Sequence, residues 1–457
     1  MAGGIKVRLT LVGKVVGDVI LVNGGYLLAF LIRFGGILPH ANWEAYWATA
    51  PWITVVALIL FYSYGLYTPG RYRWEEIFTS LICAVAILFL ASIALSYMLH
   101  QFAFPRSIFL IAAPLQLLLL GLWRRFAWAW SMNRMGPLQL VVVGSLSRAQ
   151  ERARQLLQTS GGMYEVAGLV VDVPVGRRST TDEGFMLLGS YSEMAAAVDS
   201  VTVNGVLFCA DIPQEIRVSL VSEAAARGLS VFVVPDIYEI MLSQSRLEQL
   251  DGIPVFRLTG MASKPSFAWK RLADIALAMV FAVPAIPLLL LAAIAIKLES
   301  PHGPVFFRQE RVGQGGKVFQ LCKLRTMVPD AEKLTGPVLA TERDPRITRV
   351  GHVLRVTRID ELPQLWNVLK GDMSFVGPRP ERPFFVEQFR REVPGYDYRH
   401  QIKVGITGLA QVEGKYSTSA EDKLRYDLLY AKTQSPVKDL HILLHTLKVM
   451  LMRAKAS

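Results

Sequence analysis

Charge is scarce in this chain. Asp, Glu, Lys and Arg make up only 19% of its 457 residues, against 52% hydrophobic residues, and mean hydropathy is +0.34. So little charge excludes a disordered or low-complexity protein and argues against an ordinary soluble enzyme. Cysteine is scarcer still: Cys83, Cys209 and Cys322 lie far apart, which excludes a disulfide framework or a cysteine-rich zinc site. The seven histidines, His400, His441 and His445 among them, show no H-E-x-x-H or other ligand spacing, so no zinc site is expected. No A-x-A-like cleavage site follows the first apolar run, which therefore reads as a retained helix. Acidic residues are outnumbered. Lys and Arg total 49 against 37 Asp and Glu, a net charge of +12, with a pI near 9.6. That balance suits anionic lipid heads, phosphate-bearing substrates or nucleic acid. The length allows roughly two to four folding units.

Long apolar runs are plentiful before Trp130. About four of them, near Val15–Ile32, Trp47–Leu66, Ile77–Leu99 and Ser107–Trp123, are long enough to cross a bilayer as helices of ~20 residues. Trp43, Tyr46, Trp47, Tyr67, Tyr72 and Trp74 cluster at their ends, where amphipathic rings favour the headgroup region. Lys6, Arg8 and Lys14 precede the first run, Arg71 and Arg73 fill the second loop, and Arg124, Arg125 and Arg134 follow the last. The other loops hold only Arg33 and Arg106. Both ends of this block are therefore expected in the cytoplasm. These lengths oppose the alternative, a buried all-helical soluble domain.

From Pro137 strands and helices alternate. Leu138–Val143, Val166–Val171, Gly205–Cys209 and Ser230–Val234 read as strands, with helices over Arg148–Thr159 and Ser219–Arg227. This argues for a parallel, Rossmann-like α/β sheet ending near Gly252. Its first turn reads Gly144-Ser-Leu-Ser-Arg-Ala. The second and third glycines that let a backbone approach a pyrophosphate are missing. Asp172 does end the second strand, where a ribose-binding carboxylate would sit. A structural or regulatory module is the expected role, with a retained nucleotide site as the alternative.

The remainder, from Lys264, opens with an apolar stretch over Leu272–Ile296, about 25 residues and long enough to span. Pro284 and Pro287 sit in its middle, where proline removes backbone bonds and bends a helix. Basic residues flank both sides: Lys264, Lys270 and Arg271 before, Lys297, Arg308 and Arg311 after. A spanning helix would show charge asymmetry. A fifth crossing would also carry the Arg-rich remainder away from a cytoplasmic nucleotide pool. The expectation is a re-entrant helix–break–helix at about 270–297, with a kinked fifth spanning helix as the alternative.

Phosphate-binding residue types then follow densely: Arg308, Arg311, Lys323, Arg325, Arg346, Arg349, Arg355, Arg358, the pair Asp360-Glu361, Lys370, Asp372, Arg379 and Arg382. Guanidinium forks suit phosphate oxygens, and adjacent carboxylates suit Mg²⁺ or nucleophilic attack. Carboxylates interleaved with the cations, beside a membrane dip, favour a small anionic substrate over nucleic acid.

The motifs Lys270-Arg271 through Asp274, Gly303–Gly313, Lys323–Met327, Asp344–Thr348, Asp360–Ser374, Val376–Glu381, Gly405–Gln411 and Tyr426-Asp427 resemble the bacterial sugar transferase family. Its members are polyprenyl-phosphate hexose-1-phosphate transferases, also called monotopic phosphoglycosyl transferases. The resemblance covers most of 264–457. The whole layout is similar to the large members that start exopolysaccharide or O-antigen repeat units. Thr357-Arg-Ile and Val404-Gly depart from the family's common Thr/Ser-Ser-Leu-type and Pro-Gly runs, without touching the acidic pair.

The resemblance implies a mixed membrane fold: a four-helix transmembrane bundle over 1–135, the Rossmann-like domain over 136–255, and an α/β catalytic domain over 264–457. It implies transfer of hexose-1-phosphate from a UDP-hexose to undecaprenyl phosphate, with UMP released, at the cytoplasmic face of a bacterial inner membrane. Asp360 would be the nucleophile forming an aspartyl phosphosugar. Glu361 would hold Mg²⁺ together with Asp360. Arg355 and Arg379 would bind phosphate oxygens, with Lys323 and Arg325 as weaker candidates. The hexose, glucose or galactose, is not legible, and a homodimer through the sheet domain is expected. Two rival classes stay open. An NAD-linked nucleotide-sugar enzyme is opposed by the broken glycine pattern and the absence of a Tyr-x-x-x-Lys pair in the middle region. A scaffold of polysaccharide assembly is opposed by the intact Asp-Glu and Arg-rich motifs. Leu440, Leu443, Leu444, Leu447 and Leu451 form an apolar helical stripe. With Lys438, Lys448, Arg453 and Lys455 nearby, it suits the membrane surface or core packing equally.

Overall fold

The computed structural model describes residues 2–68, 72–172, 179–243, 245–250, 253–257, 268–329, 331, 344–414 and 418–451. Arg71, Lys264, Arg453 and Lys455, weighed above for charge placement, lie outside the described residues, and Lys6, Arg8 and Arg134 are described in backbone only. The chain divides into two compact units, Met1–Asp236 and Ile237–Ser457.

The first unit begins with four long helices: α1 (Ala2–Phe34), α2 (His40–Ser63), α3 (Trp74–Met98) and α4 (Arg106–Met135). Each carries one of the apolar runs. Lipid gives no hydrophobic drive between such helices, so close packing and polar contacts must hold them. α1 packs on α4 and α2, and α3 on α2 and α4. Tyr26 of α1 donates to Ser92 of α3 at 2.8 Å. Asp18 of α1 is paired with Arg124 of α4 and accepts from Tyr67 at 2.8 Å. Arg124 also donates to the Leu66 carbonyl at 2.8 Å.

A parallel sheet follows in the order β3-β2-β1-β4-β5, built from β1 (Leu138–Val143), β2 (Tyr164–Val171), β3 (Leu187–Ser190), β4 (Gly205–Phe208) and β5 (Ser230–Val233). The valines of β1 are fully buried, as a central parallel strand covered on both faces requires. Helices α5 (Leu146–Ser160), α6 (Met194–Asp199) and α7 (Gln214–Ala226) lie between the strands in sequence. β3, no shorter than β4 or β5, escaped the sequence reading because Leu187-Leu-Gly-Ser carries no β-branched residue, and α6 because six residues are too few to show a helical period.

The sheet stops at β5, short of Gly252. Helix α8 (Ile237–Leu242) belongs to the second unit, where Ile240 is buried with Val312, Val386 and Tyr396. The strands β6 (Arg246–Leu250) and β7 (Ile253–Arg257) pair antiparallel with each other and do not extend the parallel sheet.

Helix α9 (Ala268–Glu299) opens the rest of the second unit and runs through Pro284 and Pro287 as one helix. The sequence predicts a break there. A proline removes one backbone bond and bends the axis, which the turns on either side tolerate. α1 to α4 and α9 are the five helices long and apolar enough to cross a membrane among the described residues. Both ends of α9 are fastened to its own unit. Arg271 donates to the carbonyls of Val368 and Leu369 at 2.6 and 2.7 Å. Asp274 accepts from Ser374 Oγ at 2.9 Å and the Phe375 N–H at 3.0 Å. Lys270 meets Asp439 at 2.5 Å and the Tyr430 hydroxyl at 2.9 Å. At the far end Ala292 and Ile296 pack with Leu324 and Leu354. Glu299 accepts from the N–H groups of Arg349 and Val350 at 2.8 and 3.0 Å. Between these anchors Met279, Val280, Val283, Ile286, Leu290 and Leu291 are exposed.

Strands β8 (Phe306–Val312) and β9 (Val318–Leu324) form an antiparallel hairpin. Helices α10 (Arg349–Val356) and α11 (Gln364–Lys370) lead to β10 (Ser374–Val376). α12 (Pro383–Glu392) precedes β11 (Gly405–Thr407), which pairs parallel with β10. Glycines make that pairing possible. A Cβ on Gly377 would stand 2.1 Å from the Lys403 carbonyl oxygen, and one on Gly408 2.2 Å from that of Gly377. α13 (Leu409–Glu413), α14 (Ala420–Thr433) and α15 (Pro436–Leu451) complete the chain. α15 packs into the core on one side only. Ile442 is fully buried, whereas Val437, Leu440, Leu447, Met450 and Leu451 are exposed.

Candidate active site

The site grows from the turn between α10 and α11. Thr348 caps α10 by accepting from the Gly351 N–H at 2.9 Å, and Glu299 takes two more of its free N–H groups. Anchored at that end, α10 carries Arg355 in its last turn, where Arg355 Nε donates to Thr326 Oγ1 at 2.9 Å. The chain then passes through Arg358, whose φ of 58° is left-handed, into a single 3₁₀ turn, Ile359–Glu361. That turn presents both carboxylates.

Three cations gather on one oxygen of Glu361. Lys323, near the end of β9, donates to Oε1 at 3.0 Å. Arg358 and Arg379 each stand 3.8 Å from the same atom. Burial pushes Glu361 upward, but Lys323, Arg379 and Arg358 together outweigh it and hold the carboxyl at about 2. Asp360 behaves in the opposite way. It is buried, and its Oδ1 has no hydrogen-bond partner among the described residues. Burial raises its pKa, with Glu361 adding to the rise, while Lys323, Arg355 and Arg358 oppose it. Two neighbouring acids thus differ in basicity because the cations collect on one of them.

Arg379 follows the Gly377-Pro378 turn, and its carbonyl accepts from Arg399 at 2.9 Å. Arg399 is buried and paired with Asp427 at 2.8 Å. Arg311 belongs to the same wall. It donates to the Pro380 carbonyl at 2.9 Å, and burial, with Arg379 beside it, lowers its pKa to about 10. A pocket is lined by Arg311, Lys323, Gln364, Arg379, Gly405 and Ile406. It offers an anion several guanidinium and ammonium groups from separate elements.

Lys323, Arg355, Asp360, Glu361 and Arg379 therefore come together. Arg325 does not join them. Its guanidinium donates to the Ser300 carbonyl at 2.9 Å and lies where a Cβ on Gly303 would have to be, so it holds the turn after α9. Sequence reasoning counted Arg358 among phosphate-binding types without placing it in the site, and gave no role to Arg399 or Thr326. Only Arg358 left a signal, two residues before Asp360. The pairings of Arg399 with Asp427 and of Thr326 with Arg355 exist only through tertiary contact.

The arrangement of hard carboxylate oxygens beside fixed cations fits binding of a phosphorylated substrate and attack at phosphorus. Residues 265–453 match the family described as bacterial sugar transferase, and residues 62–235 match a family described as CoA-binding domain. The chain is 33% identical over 345 residues to a UDP-glucose:undecaprenyl-phosphate glucose-1-phosphate transferase of Klebsiella pneumoniae, covering 74% of this chain and 71% of that protein. It is 31% identical to a UDP-galactose-lipid carrier transferase of Erwinia amylovora, over 69% of this chain and 68% of that one. It is 43% identical over 235 residues to a UDP-N-acetylgalactosamine-undecaprenyl-phosphate N-acetylgalactosaminephosphotransferase of Aeromonas hydrophila. There the match spans 50% of this chain and about half, 54%, of the relative's length.

Proposed function

The chain belongs to the bacterial sugar transferase family, and we propose that it transfers hexose-1-phosphate from a UDP-hexose to undecaprenyl phosphate. The names of its relatives support the general reaction. They span glucose, galactose and N-acetylgalactosamine, so the sugar is set by details of the pocket. The product, undecaprenyl-diphospho-hexose, would begin an exopolysaccharide, capsule or O-antigen unit.

The observation that carries the mechanism is the unpartnered, buried Oδ1 of Asp360. In the first step an Asp360 oxygen bonds to the β-phosphorus. The bond from that phosphorus to the oxygen bridging the α-phosphate breaks, and UMP leaves with the electron pair. In the second step an oxygen of undecaprenyl phosphate attacks the same phosphorus, and the Asp360 carboxylate is released unchanged. Dividing the transfer lets two anionic substrates use one set of cations in turn. Arg355 and Arg379 would bind the phosphate oxygens, and Lys323 would reach them from Glu361. The raised pKa of Asp360 strengthens it as a nucleophile once it is ionised.

Mg²⁺ fits this site as a proposal. Oε1 of Glu361 is taken by cations, which leaves its second oxygen and Asp360 Oδ1 as hard acceptors for the ion. When bound, Mg²⁺ neutralises diphosphate charge. CoA does not fit the β1–α5 turn, where a phosphate would sit on the first free N–H. The Ser145 N–H already donates to Asp211 Oδ2 at 3.0 Å, and a Cβ on Gly144 would stand 2.8 Å from Cys209 Cβ. The fold's own carboxylate fills the phosphate position. This favours a structural role for the sheet domain, including homodimer assembly.

The attachment of α9 supports a re-entrant reading, with the catalytic unit at the cytoplasmic face of the inner membrane. Ala278 and Ala292, about 21 Å apart along a helix, both pack into the same unit, so one unit holds both ends of α9. The exposed apolar middle would then enter one leaflet and return, keeping Asp360 near the lipid phosphates.

The test uses full-length protein in nanodiscs with radiolabelled UDP-glucose, UDP-galactose and UDP-N-acetylgalactosamine. One sugar should release about one UMP per site without lipid and leave label on the protein. Undecaprenyl phosphate should discharge that label, and Asp360→Asn should never acquire it. UMP release only with lipid present, and no retained label, would reject Asp360 as nucleophile.

A further inference from the structure

A second cluster of ligating groups lies outside this machinery. His441 and His445 stand one turn apart on α15, with ring centroids 4.2 Å apart and planes at 28°. Glu413, the last residue of α13, faces them, and one ligand atom from each of the three lies within 4.8 Å of the others. We propose that Glu413, His441 and His445 form a site for a borderline divalent transition-metal ion of the zinc or nickel class.

The ligand chemistry selects that class. Two imidazoles and one carboxylate suit zinc, nickel, copper or iron(II), whereas Mg²⁺ prefers an all-oxygen shell. Zinc bonds an imidazole nitrogen at about 2.0–2.1 Å in the plane of the ring, so the two stacked rings must turn for both nitrogens to meet one ion. Three protein ligands leave positions for water. The backbone beneath the histidines is firmly held, as a precise site requires. Ile442, between them in sequence, is fully buried. Thr446, next to His445, shares a 2.7 Å hydrogen bond with Thr407 of β11. Burial and then Lys438 disfavour positive charge at His441, and the Glu413 charge opposes them only in part.

The i,i+4 spacing of His441 and His445 is itself a ligand spacing, passed over because no Glu follows His441; the carboxylate comes only through the fold. An ion here would clamp α15, with its exposed apolar face, to α13. α13 directly follows the strand whose Gly405 and Ile406 line the small pocket beside Arg379. The clamp is distinct from the proposed Mg²⁺ at Asp360 and Glu361 and does not depend on the transfer mechanism.

Full-length protein in nanodiscs, with Mg²⁺ in excess, is equilibrated with ZnCl₂ and desalted, and bound metal is measured. Wild type should hold one more zinc per chain than the double variant His441→Asn/His445→Asn. Glu413→Gln should bind more weakly than wild type. Equal zinc in wild type and the double variant, or undiminished binding by Glu413→Gln, would overturn the site. Wild-type protein gives a check that needs no variant. Zinc should protect His441 and His445 from carbethoxylation, read by mass spectrometry, while exposed His40 reacts unchanged. Bound zinc with both histidines still reactive would overturn it as well.

Discussion

Lys323 Nζ stands 3.0 Å from Glu361 Oε1, and this contact makes the two adjacent acids unequal. Lys323 gives its hydrogen bond to Glu361 and only its field to Asp360. It lowers both carboxyls, yet burial still prevails at Asp360.

Removing that cation should shift the pH profile. If Asp360 attacks as the carboxylate, kcat/KM falls as pH drops through its raised pKa. Lys323 opposes the rise, so Lys323→Met should move the acid limb to higher pH. A limb that stays put, or moves to lower pH, would show that Asp360 does not set it.

Glu361→Gln should lower kcat by about 100-fold, the order seen when one preorganised electrostatic group is lost. If Glu361 holds the ion, the Mg²⁺ concentration for half-maximal rate should rise and excess Mg²⁺ should restore part of the activity. A wild-type Mg²⁺ requirement would leave Glu361 only the gathering of Lys323, Arg358 and Arg379.

Lys270→Met should leave Asp439 buried beside Tyr430 without its cation. The expected loss is about 3 kcal/mol, typical of removing one partner from a buried pair. Asp439→Asn in the same chain should recover part of it. Melting temperatures of the two single variants and the double variant give the coupling, and simple additivity would show that the pair is not coupled.

Trp269→Cys, in the first turn of α9, and His302→Cys, just beyond its end, are introduced one at a time in a cysteine-free chain. An impermeant thiol reagent should reach both only from the cytoplasmic side. Labelling of position 302 from outside would mean that α9 crosses the membrane. Pro284→Leu with Pro287→Leu should favour crossing by straightening the rod.

CoA and NAD should leave the melting temperature of the full-length protein unchanged, because Asp211 occupies the Ser145 N–H. Direct binding of either that is abolished by Ser145→Pro would place a nucleotide in that turn.

The helical runs and the strands β1, β2, β4 and β5 were legible because each is a continuous apolar or β-branched segment with clear punctuation. The acidic pair was legible from its ordered motif. Arg325 was misread because composition cannot tell a guanidinium that meets substrate from one that ties down Ser300. The boundary near 255 failed for a related reason: α8 has too few residues to announce which core will bury Ile240. Lys270, Arg271 and Asp274 were visible as motif residues. Their work as fasteners of α9 required the carbonyls of Val368 and Leu369, Ser374 and Asp439, all distant in sequence.

Arg358 holds a left-handed backbone that costs a side-chain-bearing residue about 1–2 kcal/mol and glycine almost nothing. Its guanidinium also stands beside Glu361. Glycine at 358 would relax the turn while removing a cation from the acid pair, so robustness and turnover pull this position in opposite directions. Variants selected only for heat resistance would accept Arg358→Gly. Variants selected for sugar transfer would discard it.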